Sequence, residues 1–267
     1  MKFLEMLDQK IYWIDDVPFS AYRPFFYWSL PRFANYQIRD YKIFYRLLLT
    51  KALGVIFPIG DGNKLINFFV SQPQYDIKTL HSKKRNQTRR GLERCVIQLV
   101  DWEQMRLEGL DINRESLERQ QRRSGRLDNA HWWDRQCRVS AQFPDVKAWG
   151  AFVEGNLTAY VHVIIHDNVT MNGKQERVAN IAHFMSDSRY LKHYPNEALI
   201  YTVTKELRDI HNCAFVMLGN TSDDPKLTLW KRHMGYQEEP VSFRVLANPV
   251  LHVAKYFVPK LKNYLNK

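Results

Sequence analysis

The stretch NIAHFMSDSRYLKHYPNEALIYTVTKELRDIHNCAFVMLGNTSDDPKLTLWKRHMGY, Asn180 to Tyr236, reads as strand, loop, long helix, strand and short helix. Val178 to Met185 is an apolar strand run, and Pro195 then opens a helix with Asn196 as its predicted N-cap. Leu199, Val203, Leu207 and Ile210 recur at the helical period along it. Ala214 to Leu218 is a second buried strand, and Lys226 to His233 a short helix closed by Gly235. A strand that feeds a helix N-terminus points free backbone N–H groups and the positive end of the helix dipole at one spot, which suits an anion. An ordinary N-capped helix accounts for the same residues.

Upstream, His81 to Arg94 is a basic helix carrying Lys83, Lys84, Arg85, Arg89, Arg90 and Arg94. Cys95 to Val100 is a strand, Glu115 to Arg123 a second helix rich in arginine, and the Trp132-Trp133 pair marks a third. Ala148 to Val153 and Leu157 to Ile165 are two apolar strands joined through Glu154-Gly155-Asn156, a hairpin, and Asp167 to Gln175 is a second turn region. Residues 1–78 form an aromatic-rich extension that Pro18, Pro24 and Pro31 cut into short pieces, with a helix predicted over Tyr41 to Phe57. This extension packs on the main domain as an arm or lies on a membrane surface. Residues 79–246 form the main domain, and 247–267 a tail that alternates apolar and basic residues.

The chain of 267 residues carries a formal net charge of +11, which favours acidic partners: nucleic acid, anionic lipid or phosphorylated small molecules. A soluble basic protein with no such partner has the same composition. Cys95, Cys137 and Cys213 are far apart, so a cysteine zinc site is not expected, and a sparse odd count fits a reducing compartment. No run reaches the roughly 18 apolar residues of a spanning helix, and the N-terminus lacks a signal-peptide core. The expected location is cytoplasmic, peripheral to the inner membrane if the anionic partner is lipid.

Helix, strand, helix, helix, hairpin, strand, helix, strand, helix, strand is an order that resembles the GNAT acyltransferase fold over about residues 80–246. The hairpin from Trp149-Gly150-Ala151-Phe152 to Tyr160 is similar to the family's second and third strands. Asn180 to Ile210 is similar to its fourth strand and cofactor helix, and Trp230 to Tyr236 to its closing helix and next strand. The resemblance implies an α/β (α+β) fold: a mixed, mostly antiparallel central sheet flanked by helices. It also implies acyl-CoA (acetyl-CoA) as donor, no metal, and direct attack by an amine on a sugar or cell-envelope precursor.

The family's loop ahead of the cofactor helix carries glycines, whereas Arg189 to Pro195 has none. Lys231 falls where its general-acid tyrosine is expected. The Trp230-Lys231 pair and the basic helix are instead similar to the Fem-type peptidoglycan aminoacyltransferases, which use charged tRNA.

Within that frame His183 is the candidate base, with Asp187 beside it and Lys231 as oxyanion or phosphate ligand. Strand alternation puts His183 and Met185 on one face. Ser186, Lys192, His193, Asn196 and Asn220 are the candidate donor contacts. Arg85, Arg89, Arg119 and Arg122 are candidates to hold a phosphate-bearing acceptor such as a nucleotide sugar. A core histidine, a surface lysine and a solvated basic face are the alternatives at these positions. A non-catalytic protein that binds anionic membrane or nucleic acid is the alternative for the whole chain.

Overall fold

The computed structural model describes residues 1–14, 16–36, 45, 52–122, 124–171, 173–221 and 224–248. The chain divides into two compact units. One comprises residues 1–66, 170–173 and 240–267, and the other residues 67–169 and 174–239.

The first unit holds α1 (Lys2–Met6), β1 (Ile11–Ile14), β2 (Val17–Arg23), β3 (Phe26–Ser29) and β4 (Gly54–Pro58). Its strands run in the order β1-β2-β3-β4 and end on β11 (Tyr236–Ala247), which enters this unit at Pro240. β3 and β4 are parallel, whereas β1–β2, β2–β3 and β4–β11 are antiparallel. Ile14, Val17, Phe19, Tyr27, Val55 and Phe57 form its core on one face. On the other face Trp28 meets Phe243 edge to face at 5.5 Å.

The helix expected over Tyr41 to Phe57 lies mostly outside the described residues, and its end is corrected. Gly54–Pro58 is a strand, because Val55, Ile56 and Phe57 are bulky strand formers with ladder partners on both sides, Tyr27–Trp28 and Arg244–Leu246. The proline-cut pieces of the extension are likewise paired strands. The tail beyond Asn248 lies outside the described residues.

The second unit begins inside β5 (Lys64–Ser71) and holds α2 (Ser82–Arg94), β6 (Val96–Leu99), α3 (Trp102–Arg119) and α4 (Ala130–Ser140). It continues with β7 (Val146–Val153), β8 (Asn156–Met171), β9 (Lys174–Ser186), α5 (Pro195–Asp209), β10 (Phe215–Asn220) and α6 (Pro225–His233). Its strand order is β11-β5-β10-β9-β8-β7-β6. β9 and β10 are parallel, and the registers of β5–β10, β6–β7 and β7–β8 are antiparallel. The sheet is mixed and mostly antiparallel, as the sequence implied.

Alternation along β7–β9 sorts the core into two layers. Trp149, Ala151, Val161, Val163 and Ile181 pack on one face with Leu199, Val203 and Leu207 of α5. Ala148, Tyr160 and Met185 face the other way, against Met105 and Ile112 of α3 and Trp133 of α4. β8 runs on to Met171, so the predicted turn region shrinks to the residues at its end.

Helix α2 lies against α5 at one glycine. A Cβ on Gly91 would stand 2.6 Å from the Tyr194 carbonyl oxygen and 2.9 Å from the Ala198 Cβ. The substitution Gly91→Ala raises helix propensity by about 1 kcal/mol, yet it forces two backbones apart. Overpacking costs on the order of 1–3 kcal/mol, so a net loss of up to about 2 kcal/mol is expected in urea unfolding. Unchanged stability would show that the two helices have room to separate.

Candidate active site

The parallel pairing of β9 and β10 covers Phe215↔Val178, Val216↔Ala179 and Met217↔Asn180, and stops there. β9 continues to Ser186 and β10 to Asn220, so an opening lies between Ile181–Ser186 and Leu218–Asn220. β10 also carries an extra residue here. Met217 and Asn220 oppose Val70 and Phe68 of β5, so three steps on one strand match two on the other, with Gly219 at φ +69°.

Lys231 of α6 is buried at this end of β10. Its Nζ donates to the Asn220 carbonyl oxygen at 2.9 Å and stands 4.8 Å from the centre of the Phe69 ring. Among the described residues no carboxylate pairs with it. Burial pulls its pKa down from the ordinary lysine value to about 8. A lysine with a pKa about 8 is still mostly protonated near pH 7; with one carbonyl partner it can donate to developing negative charge and can give up its proton more readily than an ordinary lysine. Asn220 therefore reaches the site through its backbone carbonyl, and its side chain is exposed.

Beside the opening, Phe184 of β9 stacks on Trp230 of α6 at 5.7 Å. The Trp230 Nε1 donates to Glu197 Oε1 at 3.1 Å, and Lys84 of α2 pairs with the same oxygen at 2.6 Å. Three elements, α2, α5 and α6, thus converge on one buried carboxylate in the first turn of α5.

Asn196 is not the N-cap of that helix. Tyr194 is, in the left-handed conformation at φ 59°, and Pro195 takes the first helical position, where its fixed φ fits and no N–H is missed. Asn196 Oδ1 is buried and finds no hydrogen-bond partner among the described residues.

The loop between β9 and α5 is held by carboxylates. Asp187 caps the 3-10 turn Ser188–His193, accepts from the Arg189 backbone N–H at 2.9 Å, and forms a bidentate pair with the Arg189 guanidinium. That pairing holds the Asp187 carboxyl below the usual range, so it is a poor base. Glu115 of α3 accepts from the backbone N–H of Ser188 at 3.0 Å and also from its hydroxyl. Arg119, one turn on, donates to the carbonyl and hydroxyl oxygens of Ser186 at 3.3 and 3.4 Å. The N–H of Tyr190 goes to the Asp187 carbonyl and that of Tyr194 to Leu191. The N–H groups of Ser188, Arg189, Tyr190 and Tyr194 are therefore committed inside the loop, and at the helix start the Glu197 carboxylate is already paired with Lys84.

His183 sits on the opposite face of β9 from Phe184. Its ring lies 5.3 Å from that of His162, which meets Trp102 of α3 edge to face at 5.2 Å. Burial lowers the His183 pKa to about 4, so the ring is neutral near pH 7 and only a weak base. Among the described residues no hydrogen bond, ion pair or ring contact joins His183, Asp187 and Lys231. Lys192 and His193 end the 3-10 turn, where Arg94 Nη1 donates to the Lys192 carbonyl at 3.2 Å. Arg85 and Arg89 belong to α2, on the α5 face of the sheet, whereas Arg119 and Arg122 lie at the end of α3, on the other face. The four arginines do not form one cluster. Among the described residues no group of metal-ligating side chains is present, and no helix is long and apolar enough to cross a membrane.

Glu115, Glu197 and Lys84 were not read from the sequence as site residues. Their partners lie 73 and 113 positions away, so no local spacing marks them. If Glu115 fixes the loop, Glu115→Ala should speed amide exchange over Ser188–Tyr194 at least tenfold in hydrogen-exchange mass spectrometry. Glu115→Gln, which keeps one acceptor, should fall between. Unchanged exchange in both variants would place the restraint elsewhere.

No protein-family profile and no curated protein matches the chain. Solved structures do. FemX is similar at a TM-score of 0.62 with 10% identity, over 89% of this chain and 85% of that one. The C-terminal domain of a proposed lysylphosphatidylglycerol synthetase from Agrobacterium fabrum is similar at 0.60 with 12% identity, over 92% and 86%. A conserved protein of unknown function from Bacteroides thetaiotaomicron is similar at 0.55 with 11% identity, over 90% and 87%. The chain therefore shares the fold of these structures, a mixed, mostly antiparallel sheet flanked by helices, over most of its length and theirs.

Proposed function

We propose that this protein is an acyltransferase that takes its acyl group from an ester on RNA, of the aminoacyl-tRNA kind, and passes it to an amine by direct attack. The observation that carries this reading is Lys231, a buried ammonium held at the open end of the β9–β10 pair by the Asn220 carbonyl. In acyl transfer the carbonyl oxygen becomes an oxyanion, and the leaving oxygen of a ribose ester must gain a proton. A lysine with a pKa about 8 suits both tasks, as ion partner first and proton donor second. The amine nitrogen forms the new bond to the carbonyl carbon and the ester C–O bond breaks; Lys231 protonates the departing ribose oxygen, and the proton shed by the amine restores the ammonium.

Two features favour an RNA ester over acyl-CoA, the donor expected from the family resemblance. The N–H groups of Ser188, Arg189, Tyr190 and Tyr194 are committed to Glu115, Asp187 and neighbouring carbonyls, so a pyrophosphate meets few free loop donors. The exposed face of α2, with Lys83, Arg89, Arg90 and Arg94, offers a phosphate backbone the cations it needs. The acceptor is an amine on a sugar or envelope precursor. Peripheral attachment to an anionic surface fits the net charge of +11. Asp187, paired with Arg189, and His183, neutral among aromatic rings, are given no proton-transfer step.

Transfer from aminoacyl-tRNA and from acyl-CoA to a panel of amino sugars and envelope amines, followed by mass spectrometry, tests the donor. Product is expected with the RNA ester alone, and turnover confined to acyl-CoA would refute the RNA donor. Lys231→Met should lower kcat by roughly 10²–10³, the usual cost of one oxyanion donor. The protonated lysine is the active form, so kcat should fall as pH rises through about 8. Lys231→Arg, which stays charged, should retain part of the rate and lose that alkaline fall. A profile unchanged in Lys231→Arg would remove Lys231 from the reaction.

A further inference from the structure

A shallow cavity of about 390 Å³ opens beside the loop, lined by Arg94, Val153, Glu154, Lys192 and His193. Two contacts bring its walls together. Arg94, the last residue of α2, donates through Nη1 to the Lys192 carbonyl at 3.2 Å, and the Cys95 Sγ lies 3.6 Å from the His193 carbonyl. The end of the basic helix is thereby tied to the end of the 3-10 turn. The third wall is the tight β7–β8 turn, where Val153 pairs with Asn156 and Glu154 sits at φ +51°.

Arg94, Lys192 and Glu154 are exposed, and among the described residues none of them is engaged in an ion pair. The cavity thus offers a guanidinium, an ammonium and an imidazole to an anion, and a single carboxylate that accepts but cannot donate. That set is mismatched to a bare phosphate, which the carboxylate would repel. It matches a group in which phosphate and hydroxyl occur side by side.

We propose that this cavity binds one phosphorylated ribonucleoside of the RNA donor: phosphate on Arg94, Lys192 and His193, and a ribose hydroxyl donating to Glu154. The proposal rests on the RNA-ester reading above and adds to it a place and a sugar preference. A guanidinium and an ammonium supply sequence-independent affinity. A carboxylate that takes a 2′-hydroxyl is a means to tell RNA from DNA.

The test is fluorescence anisotropy of the full chain with a labelled short single-stranded RNA and the DNA of the same sequence, each over a range of salt. The parent should prefer RNA. Arg94→Ala and Lys192→Ala should each weaken both oligonucleotides about five- to tenfold and flatten the salt dependence by roughly one contact. Lys192→Ala keeps the carbonyl that Arg94 binds, so it reports on the cavity even if Arg94→Ala disturbs the helix end. Glu154→Gln should lower the RNA-to-DNA affinity ratio at least threefold, whatever it does to overall affinity. Equal binding of RNA and DNA by the parent, or parent-like behaviour of Lys192→Ala and Glu154→Gln, would overturn the site.

The two levels fail separately. Transfer from an RNA ester with an unchanged KM in Lys192→Ala would sink the cavity and leave the donor intact. Turnover on acyl-CoA alone, with RNA discrimination lost in Glu154→Gln, would sink the donor and leave the cavity.

Discussion

The parting of two parallel strands is the constraint on which the proposed active site depends. β9 and β10 share a ladder only as far as Asn180 and Met217, and each then runs on without the other. An opening at the end of a parallel pair would normally leave buried backbone groups unpaired, at a cost of about 1–3 kcal/mol each. Here the Asn220 carbonyl is taken by Lys231, and the bulge at Leu218–Gly219 lets β10 turn toward it. The same bond that satisfies the strand end holds an ammonium in a poorly solvated place, which is why its pKa falls. Structure and reactivity share one contact.

Around that opening, charge is spent with a consistent bias. Glu115 and Asp187 bind the loop's own donors, and Glu197 faces Lys84 and Trp230 instead of a ligand. A glycine-rich loop leaves its N–H groups outward for phosphate oxygens, whereas this one turns them inward to carboxylates. Among the described residues, cations outside any ion pair lie on the exposed side of α2 and at the loop's far end. The proposed RNA donor would then be recognised through its phosphate backbone by side chains, rather than through a pyrophosphate by main chain.

The sequence made the second unit legible because its signals are local. Leu199, Val203 and Leu207 mark one buried helix face, the Glu154-Gly155-Asn156 turn marks the hairpin, and the β-branched runs mark the central strands. The first unit was harder. Prolines at 18, 24 and 31 disguise strands that are paired on their other residues, and Gly54–Phe57 becomes a strand only because β3 and β11 flank it. At the site, Lys231 stood out by its place in the fold order, but Asn196 did not cap the helix, since Pro195 had already claimed the first position. Glu115 and the partners of Glu197 stayed hidden because each contact joins distant elements, and no short spacing encodes that; Glu197 itself was legible only as a first-turn acid.

The central claim is that Lys231 is a perturbed ammonium facing the donor. It is tested most directly by NMR titration of lysine labelled at Cε. The spectrum is recorded with and without a stable amide analogue of an aminoacyl-adenosine, and Lys231 is assigned by its loss in Lys231→Arg. One lysine signal titrating near pH 8 and shifting with the analogue is the predicted result. A Lys231 signal that titrates with the surface lysines and ignores the analogue would contradict the account.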